Sequence, residues 1–271
     1  MTVNDIYSFL NEFAPFDTAC DFDNAGLLIG GKDAEVDKCI IALDCTEAVV
    51  DEAIKKGAQL IITHHPVIFS GLKSVLADSL VYRLIENNIS VISAHTNLDI
   101  ADGGVNDCLA AALNLRDVEK VVADDGFSFR KGVLQKEYTP EEFALYLKNT
   151  LNFSPRFTVG SKKIKTVAVC GGSGGDMLYD ALKANADALV TADVKHVNIL
   201  FNKHSRVLRA ILVSDKLLPI RAQDCIHNVI SYANASFCIR FYVCSFRSVR
   251  VRMNSVIIRI SSCVEMHIES A

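Results

Sequence analysis

The chain has 271 residues, of which 50% are hydrophobic and 22% are charged, and its formal net charge is -4 at pH 7. Such a chain can bury a sizeable core as one large or two modest domains, and its slightly acidic balance carries no electrostatic signature of nucleic-acid binding. Because no apolar stretch approaches the roughly 20 residues of a membrane span and the N-terminus has no basic segment of the signal-peptide type, we expect a cytoplasmic protein that binds neither nucleic acid nor membrane.

The first half of the chain alternates between helical and strand-like segments. The opening MTVNDIYSFLNEFAPFD has the pattern of an amphipathic helix, and Lys38–Asp44 is a short apolar run typical of a buried strand. A helix follows, with Thr46 at its N-cap and Gly57 as its stop signal, and it leads into the strand-like QLIITHH. A strand, a helix and a strand within about 30 residues form a βαβ unit with parallel strands. The helical SVLADSLVYRLIENN and the β-branched ISVISAHTNLD predict that the pattern repeats.

A second segment of the same kind begins near residue 125. Thr139, Pro140 and Glu142 supply an N-cap, an N1 proline and the acid of a capping box for a helix. The strand-like KTVAVC and DALVTADV follow, with a glycine-rich turn and a helix between them. We therefore predict the α/β class, with mainly parallel βαβ units in a first domain of residues 1–124 and a second domain of residues 125–196.

The remainder, residues 197–271, differs in composition from the rest. All 14 glycines lie before residue 197, whereas about five are expected in 75 residues of average composition. The segment holds 8 Arg and 2 Lys against 2 Asp and 2 Glu, which gives it a charge of +6 and leaves -10 for the rest. We interpret this atypical tail as a frameshift product; a genuine basic, β-rich extension is the alternative.

Two adjacent histidines, His64 and His65, end the second predicted strand and are followed at once by Pro66. Successive side chains of a strand point to opposite faces, but Pro66 stops the hydrogen-bond ladder, so the two imidazoles can diverge and each hold a different metal ion. His95 and Asp99 follow the next predicted strand, and ligands of parallel sheets gather at such strand ends. We therefore predict a metal site with His64, His65 and Asp99 as ligands.

Other interpretations of these polar residues remain open. A His-His pair is often an ordinary loop element, and His95 fits the role of a residue that orients a ligand, or of a general base, as well as that of a ligand. Asp44 and Thr46 end the first strand at the same rim. The stretch CGGSGGD, residues 170–176, is either a tight strand-to-helix turn or a phosphate cradle of glycine amides.

Taken in order, FDNAGLLIG, IIALDCTEAVVDEAI, LIITHHPVIF, SAHTNLD, VCGGSGG and TADVKH resemble the Nif-three-like dinuclear metal-centre family, also described as GTP cyclohydrolase I type 2 homologues. The resemblance covers about residues 1–196. It implies a two-domain α/β subunit, a homohexamer, and two divalent metal ions per subunit, with Zn, Fe, Mn, Co and Ni all compatible with the ligands. It assigns His64, His65 and Asp99 as metal ligands and places His95 near the metals.

The resemblance also implies ligands that this sequence lacks. The family's C-terminal motif of glycine, histidine and, four residues later, glutamate is absent, since His204, His227 and His267 have no glutamate at that spacing. Ala192 and Val197 also depart from the family pattern. We therefore expect an incomplete site that binds metal poorly.

Two functions fit this pattern. The first is a metal-dependent hydrolase that acts on a nucleotide-like or phosphate-bearing small molecule, whose identity the residues leave open. The second is a non-enzymatic, hexameric metal-binding or regulatory scaffold.

Overall fold

The computed structural model describes most of the chain up to residue 193 and four strands beyond it. The described residues are 1–151, 155–157, 163–193, 209–212, 240–243, 250–253 and 256–259. The predictions about the remaining tail residues, including His204, His227 and His267, lie outside the described residues.

The chain forms two compact units. The first contains Met1–Leu98 together with the described strands of the range Gln223–Ala271, and the second is Asp99–Ala222. The boundary that we predicted, between residues 124 and 125, falls within the second unit, between two paired antiparallel strands. Residues 116–122, read from the sequence as the end of the first domain, thus form part of the second sheet.

A five-stranded sheet is the centre of the first unit. Its order is β1-β4-β3-β2-β11, in which β1 pairs antiparallel with β4 and the other three pairs are parallel. The strands are β1 (Gly26–Ile29), β2 (Lys38–Ala42), β3 (Leu60–Thr63), β4 (Ser90–Ser93) and β11 (Arg240–Val243). The predicted βαβ units of this region are present.

The helices of the first unit begin and end largely where local signals place them. They are α1 (Val3–Phe13), α2 (Glu47–Lys56), α3 (Leu80–Glu86) and α4 (Thr96–Ile100), the last of which runs across the division between the units. The Thr46 side chain accepts from the amide of Val49, and Gly57 takes the left-handed conformation, with φ 62°, that ends α2. Ser79 caps α3, which therefore begins later than the apolar periodicity alone indicated.

The second unit contains a six-stranded mixed sheet. Its order is β5-β6-β8-β9-β10-β7, with β8-β9 and β9-β10 as the parallel pairs. The strands are β5 (Arg116–Val122), β6 (Ser128–Tyr138), β7 (Arg156–Phe157), β8 (Ile164–Cys170), β9 (Ala188–Thr191) and β10 (Arg209–Leu212). The helices are α5 (Val105–Ala112), α6 (Pro140–Leu151) and α7 (Leu178–Lys183). A separate hairpin is formed by β12 (Arg250–Met253) and β13 (Val256–Arg259).

The predicted capping box of α6 is present. The Glu142 carboxylate accepts from the Thr139 amide at 2.8 Å, and Thr139 Oγ1 accepts from the Glu142 amide at 3.2 Å. The parallel strand pairs, whose strands are connected by helices, confirm the predicted α/β class.

Each unit has an apolar core of its own against its sheet. In the first unit, Ile40, Val50, Ile61, Leu84 and Val91 are almost completely buried. In the second, the largest cluster lies between α5, α6 and the sheet, and a smaller one lies beside α7. Among the described residues, no helix is both long enough and apolar enough to span a membrane.

Candidate metal centre

Three histidines of the first unit converge at the carboxyl ends of two neighbouring parallel strands. His64 directly follows β3, and His95 comes two residues after β4. The rings of His64 and His65 have centroids 5.1 Å apart, as do those of His64 and His95. One potential ligand atom from each of the three lies within 4.8 Å of the others, so the group could hold a metal ion.

His64 is the buried member, with 1% of its surface exposed. Its Nδ1 lies 2.9 Å from the carbonyl oxygen of Ala94, just beyond β4. Burial, helped by the neighbouring rings of His95 and His65, lowers the pKa of His64 to about 3. The imidazole is therefore neutral at physiological pH, which is the form that binds metals.

His65 is fixed at the outer side of the group. Its Nδ1 lies 2.6 Å from Asp44 Oδ1, and its backbone N–H donates to the carbonyl of Leu43 at 3.0 Å. The hydrogen bond from His65 holds the pKa of Asp44 below its ordinary value, against the opposing effect of burial. Asp44, which the sequence placed at the same rim, thus orients a histidine.

His95 is held by a buried carboxylate. Its Nδ1 lies 2.8 Å from Asp23 Oδ1, and the second oxygen of Asp23 accepts from the backbone and hydroxyl of Thr96. Burial alone would raise the pKa of Asp23, but the hydrogen bonds from His95 and Thr96 outweigh it and hold that pKa well below its usual range. Asp23 is therefore ionised and fixes the ring of His95.

The same ring nitrogen is engaged in all three histidines. A carbonyl oxygen can only accept, so Nδ1 of His64 carries the hydrogen, and the carboxylates favour the same tautomer in His65 and His95. In that tautomer Nε2 carries the lone pair that binds a metal. An imidazole whose second nitrogen donates to a carbonyl or carboxylate is the usual arrangement of metal-binding histidines.

This donor set suits a divalent transition metal. Neutral imidazoles are typical ligands of zinc, iron, copper and nickel, and three of them with open positions form a recurrent catalytic zinc site. The arrangement thus fits the metal that the sequence resemblance implies. The number and identity of ions are not fixed by the histidines.

Asp99, the third predicted ligand, lies in α4 and is 5% exposed. Within the second unit its Oδ1 is 3.5 Å from the position that a Cβ on Gly171 would take, so the carboxylate lies against the start of the glycine-rich turn. The group of three potential ligands found among the described residues contains His95 and not Asp99. The role of Asp99 as a ligand stays a prediction.

The glycine-rich turn of the second unit uses its amides internally. Gly171 N–H donates to Asn106 Oδ1 at 2.7 Å, and Gly174 N–H donates to Thr191 Oγ1 at 2.8 Å. A Cβ on Gly174 would lie 2.5 Å from Cys170 Sγ. These contacts favour the tight-turn interpretation over a phosphate cradle.

Sequence reasoning missed Asp23. It stands 72 residues before His95, in the turn CDFDNAG, and no spacing links the two. Asp23 lies in FDNAGLLIG, one of the motifs that carry the family resemblance, but nothing in that motif pairs it with a histidine.

The sequence matches the family model described as Duf34/NIF3 (NGG1p interacting factor 3) over residues 1–213. The match continues past residue 196, where we expected the resemblance to end. A Clostridium acetobutylicum protein named GTP cyclohydrolase 1 type 2 homolog is 36% identical over 208 residues, which cover 72% of this chain and 77% of that protein.

Solved structures show the same fold. Staphylococcus aureus protein SA1388 matches with a TM-score of 0.77 and 29% identity, over 91% of this chain and 97% of its own. A Bacillus cereus protein related to NIF3 matches with a TM-score of 0.80, over 95% of this chain and 99% of its own. The identity in the second case is 23%, so that likeness concerns the fold alone.

Proposed function

This chain belongs to the Duf34/NIF3 (NGG1p interacting factor 3) family, and we propose that it is a metal-dependent hydrolase whose metal is held by His64, His65 and His95. The observation that carries the proposal is the group of three imidazoles, with ligand atoms within 4.8 Å of one another and every Nδ1 engaged by an acceptor. We propose a nucleotide-like or phosphate-bearing substrate, which the name of the Clostridium acetobutylicum relative supports.

The three histidines play unequal parts in this proposal. His64 is enclosed, whereas the side chains of His65 and His95 are 40% and 18% exposed, so substrate approaches from the side of His65. A bound divalent ion supplies Lewis acidity and lowers the pKa of a water molecule toward neutrality. Asp44 and Asp23 keep the two accessible rings oriented toward the site.

A second ion is expected to bind more weakly. The dinuclear centre implied by the resemblance needs Asp99 and further ligands, and the sequence has no glycine, histidine and glutamate motif to supply them. Three histidines suffice for one ion with open positions, whereas an ion with fewer protein ligands is held less tightly. We therefore propose that the three histidines hold one ion per chain, and that the poor metal binding expected from the sequence concerns a second position.

The alternative is a hexameric metal-binding or regulatory scaffold without turnover. The hydrolase and the scaffold need the same histidines, so only a test for turnover distinguishes them. Metal binding that alters assembly without hydrolysis of any nucleotide or phosphoester supports the scaffold.

The test begins with full-length protein freed of metal by a chelator and titrated with Zn²⁺ or Co²⁺. Variants His64→Ala, His65→Ala and His95→Ala are each expected to weaken binding by at least about tenfold. Asp51→Asn is the matched control, since Asp51 is an exposed carboxylate of the same unit that pairs with Arg83. A panel of nucleotides and phosphate monoesters then tests hydrolysis by the loaded protein.

Two results would contradict the proposal. Equal metal affinity in wild type and in all three histidine variants would show that these histidines do not bind the metal. Tight metal binding without hydrolysis of any compound in the panel would support the metal site but contradict the enzymatic role.

A further inference from the structure

An exposed phenylalanine lies beside the histidine group, and a second one precedes the aspartate that holds His95. Phe69 is 52% exposed, and its ring is nearly perpendicular to that of His95, with centroids 6.4 Å apart and an interplanar angle of 81°. Phe22 is 68% exposed and precedes Asp23, whose carboxylate holds the same His95 ring. Both aromatic side chains therefore belong to segments that contact one histidine.

The backbone beneath these rings is fixed. Asn24 Nδ2 donates to the carbonyl oxygen of Ile68 at 2.6 Å, which joins the segment of Phe22 to that of Phe69. The turn before Asn24 is closed by the Asp23 amide donating to the Cys20 carbonyl at 2.8 Å. The rings are thus exposed to solvent on an anchored framework.

Leaving such rings in water has a free-energy cost, because burial of apolar surface is favourable. Phe69 keeps about half of its surface exposed while its ring lies nearly perpendicular to that of His95. A half-exposed aromatic ring at the rim of a polar group is suited to a planar ligand, since aromatic rings stack in offset geometry on flat π-systems.

We propose that Phe69 is a stacking subsite for the planar heteroaromatic ring of the substrate, next to the histidine-bound metal. The inference rests on the proposed function, because it places the ring of the substrate beside the metal centre that is proposed to hydrolyse the substrate. It narrows the substrate class from any phosphate-bearing molecule to one that carries a purine-like or similar ring.

Equilibrium binding to the metal-loaded, full-length protein tests the subsite. The probes are AMP and ribose 5-phosphate, which share the sugar phosphate and differ by the purine. Wild type is expected to bind AMP about tenfold more tightly, because stacking of a base on an aromatic side chain contributes to affinity. Phe69→Ala is expected to abolish that preference, with ribose 5-phosphate affinity and metal content unchanged, and Phe69→Trp to keep it.

Leu76→Ala is the matched control, since Leu76 is 62% exposed and aliphatic and follows Phe69 in the same β3–α3 connection. It is expected to leave the AMP preference intact. Equal affinity of wild type for the two probes overturns the subsite, as does a Phe69→Ala variant that keeps the preference. The subsite is also overturned if Leu76→Ala loses the AMP preference and sediments differently from wild type. That result would show that the exposed apolar residues of the β3–α3 connection serve in assembly.

The failure of this inference is distinguishable from that of the proposed function. Metal content is measured on the same samples. A wild type that retains no metal overturns both proposals, whereas a metal-loaded wild type without purine preference overturns the subsite alone.

Discussion

Arg130, on β6, is 2% exposed and offers a quantitative test of how the second unit is held together. Its Nε and Nη2 donate to the two oxygens of Asp107 at 2.6 and 2.9 Å, a bidentate pair. Nη2 also donates to the carbonyl oxygens of Ala101 and Ile100 at 3.1 and 3.3 Å. These carbonyls belong to the two residues that follow Asp99, so the guanidinium holds the C-terminal end of α4 next to the third predicted ligand.

Replacing Arg130 with methionine keeps much of the volume and removes every donor. Loss of one partner from a buried ion pair costs about 3–5 kcal/mol, because the other charge stays without compensation. The Asp107 side chain is 29% exposed, which gives its carboxylate some access to water. We therefore expect Arg130→Met to lower the free energy of unfolding by about 3 kcal/mol, the lower end of that range.

Urea unfolding of the wild type and of two further variants completes the test. Lys163→Met is the matched control, because Lys163 Nζ lies 3.7 Å from Glu137 Oε2 with the two side chains 67% and 56% exposed, and such a surface pair contributes at most about 1 kcal/mol. Asp107→Asn in the Arg130→Met background is expected to restore part of the stability, since it removes the uncompensated charge. An Arg130→Met protein no less stable than Lys163→Met, or a double variant no more stable than Arg130→Met, would refute the reasoning.

Three other perturbations have defined outcomes. Gly30→Ala is expected to lower the free energy of unfolding by about 2 kcal/mol, because at φ 99° its Cβ would lie 2.9 Å from the Cα of Ser90. Metal-free protein is expected to lose stability, by up to about 1.4 kcal/mol per pH unit, as the pH falls from the unfolded pKa of His64 near 6.5 toward its folded pKa of about 3. Asp23→Asn is expected to weaken metal binding about ten- to a hundredfold by freeing the ring of His95.

Each of these has a comparison that decides it. Gly31→Ala, which meets nothing within 4 Å, should stay within about 0.5 kcal/mol of wild type, and equal losses at the two glycines would reject the steric argument. The acid-dependent loss should be smaller in His64→Asn, since the protons are taken up by unfolded His64; an unchanged profile would assign it to other groups. Wild-type metal affinity in Asp23→Asn would show that Asp23 has no part in orienting His95.

Capping and stop residues in the sequence correctly predicted where helices begin and end. Thr46 and Gly57 bound α2 as their chemistry requires, and Thr139 and Glu142 form the predicted capping box. Long-range pairings were not accessible in the same way. Strand β1 lies antiparallel at the sheet edge beside β4, far along the chain, and helix α4 begins immediately after His95, within the stretch ISVISAHTNLD that we predicted as a strand. Neither follows from a local pattern, because tertiary packing decides both.

In the candidate site, too, the sequence predicted the local features but not the long-range contacts. The His64–His65 doublet ending a parallel strand predicted where imidazoles gather, since strand ends at one edge of a sheet are neighbours. His95, which seemed as suited to orienting a ligand, is a full member of the three-histidine group. Asp23 stands in the quoted motif FDNAGLLIG, but its contact with His95 forms only in the folded chain, so the sequence did not reveal that pairing.

The central claim is that these three histidines hold a divalent ion, and metal content measures it most directly. Full-length protein is loaded with Zn²⁺, dialysed, and analysed by mass spectrometry of its metal, beside the His64→Ala, His65→Ala and His95→Ala variants. We predict about one retained ion per chain in wild type, as expected for three protein ligands, and little in the variants. Retention of no ion, or of the same amount in all four proteins, would contradict the claim, and two tightly held ions would show that the site is complete.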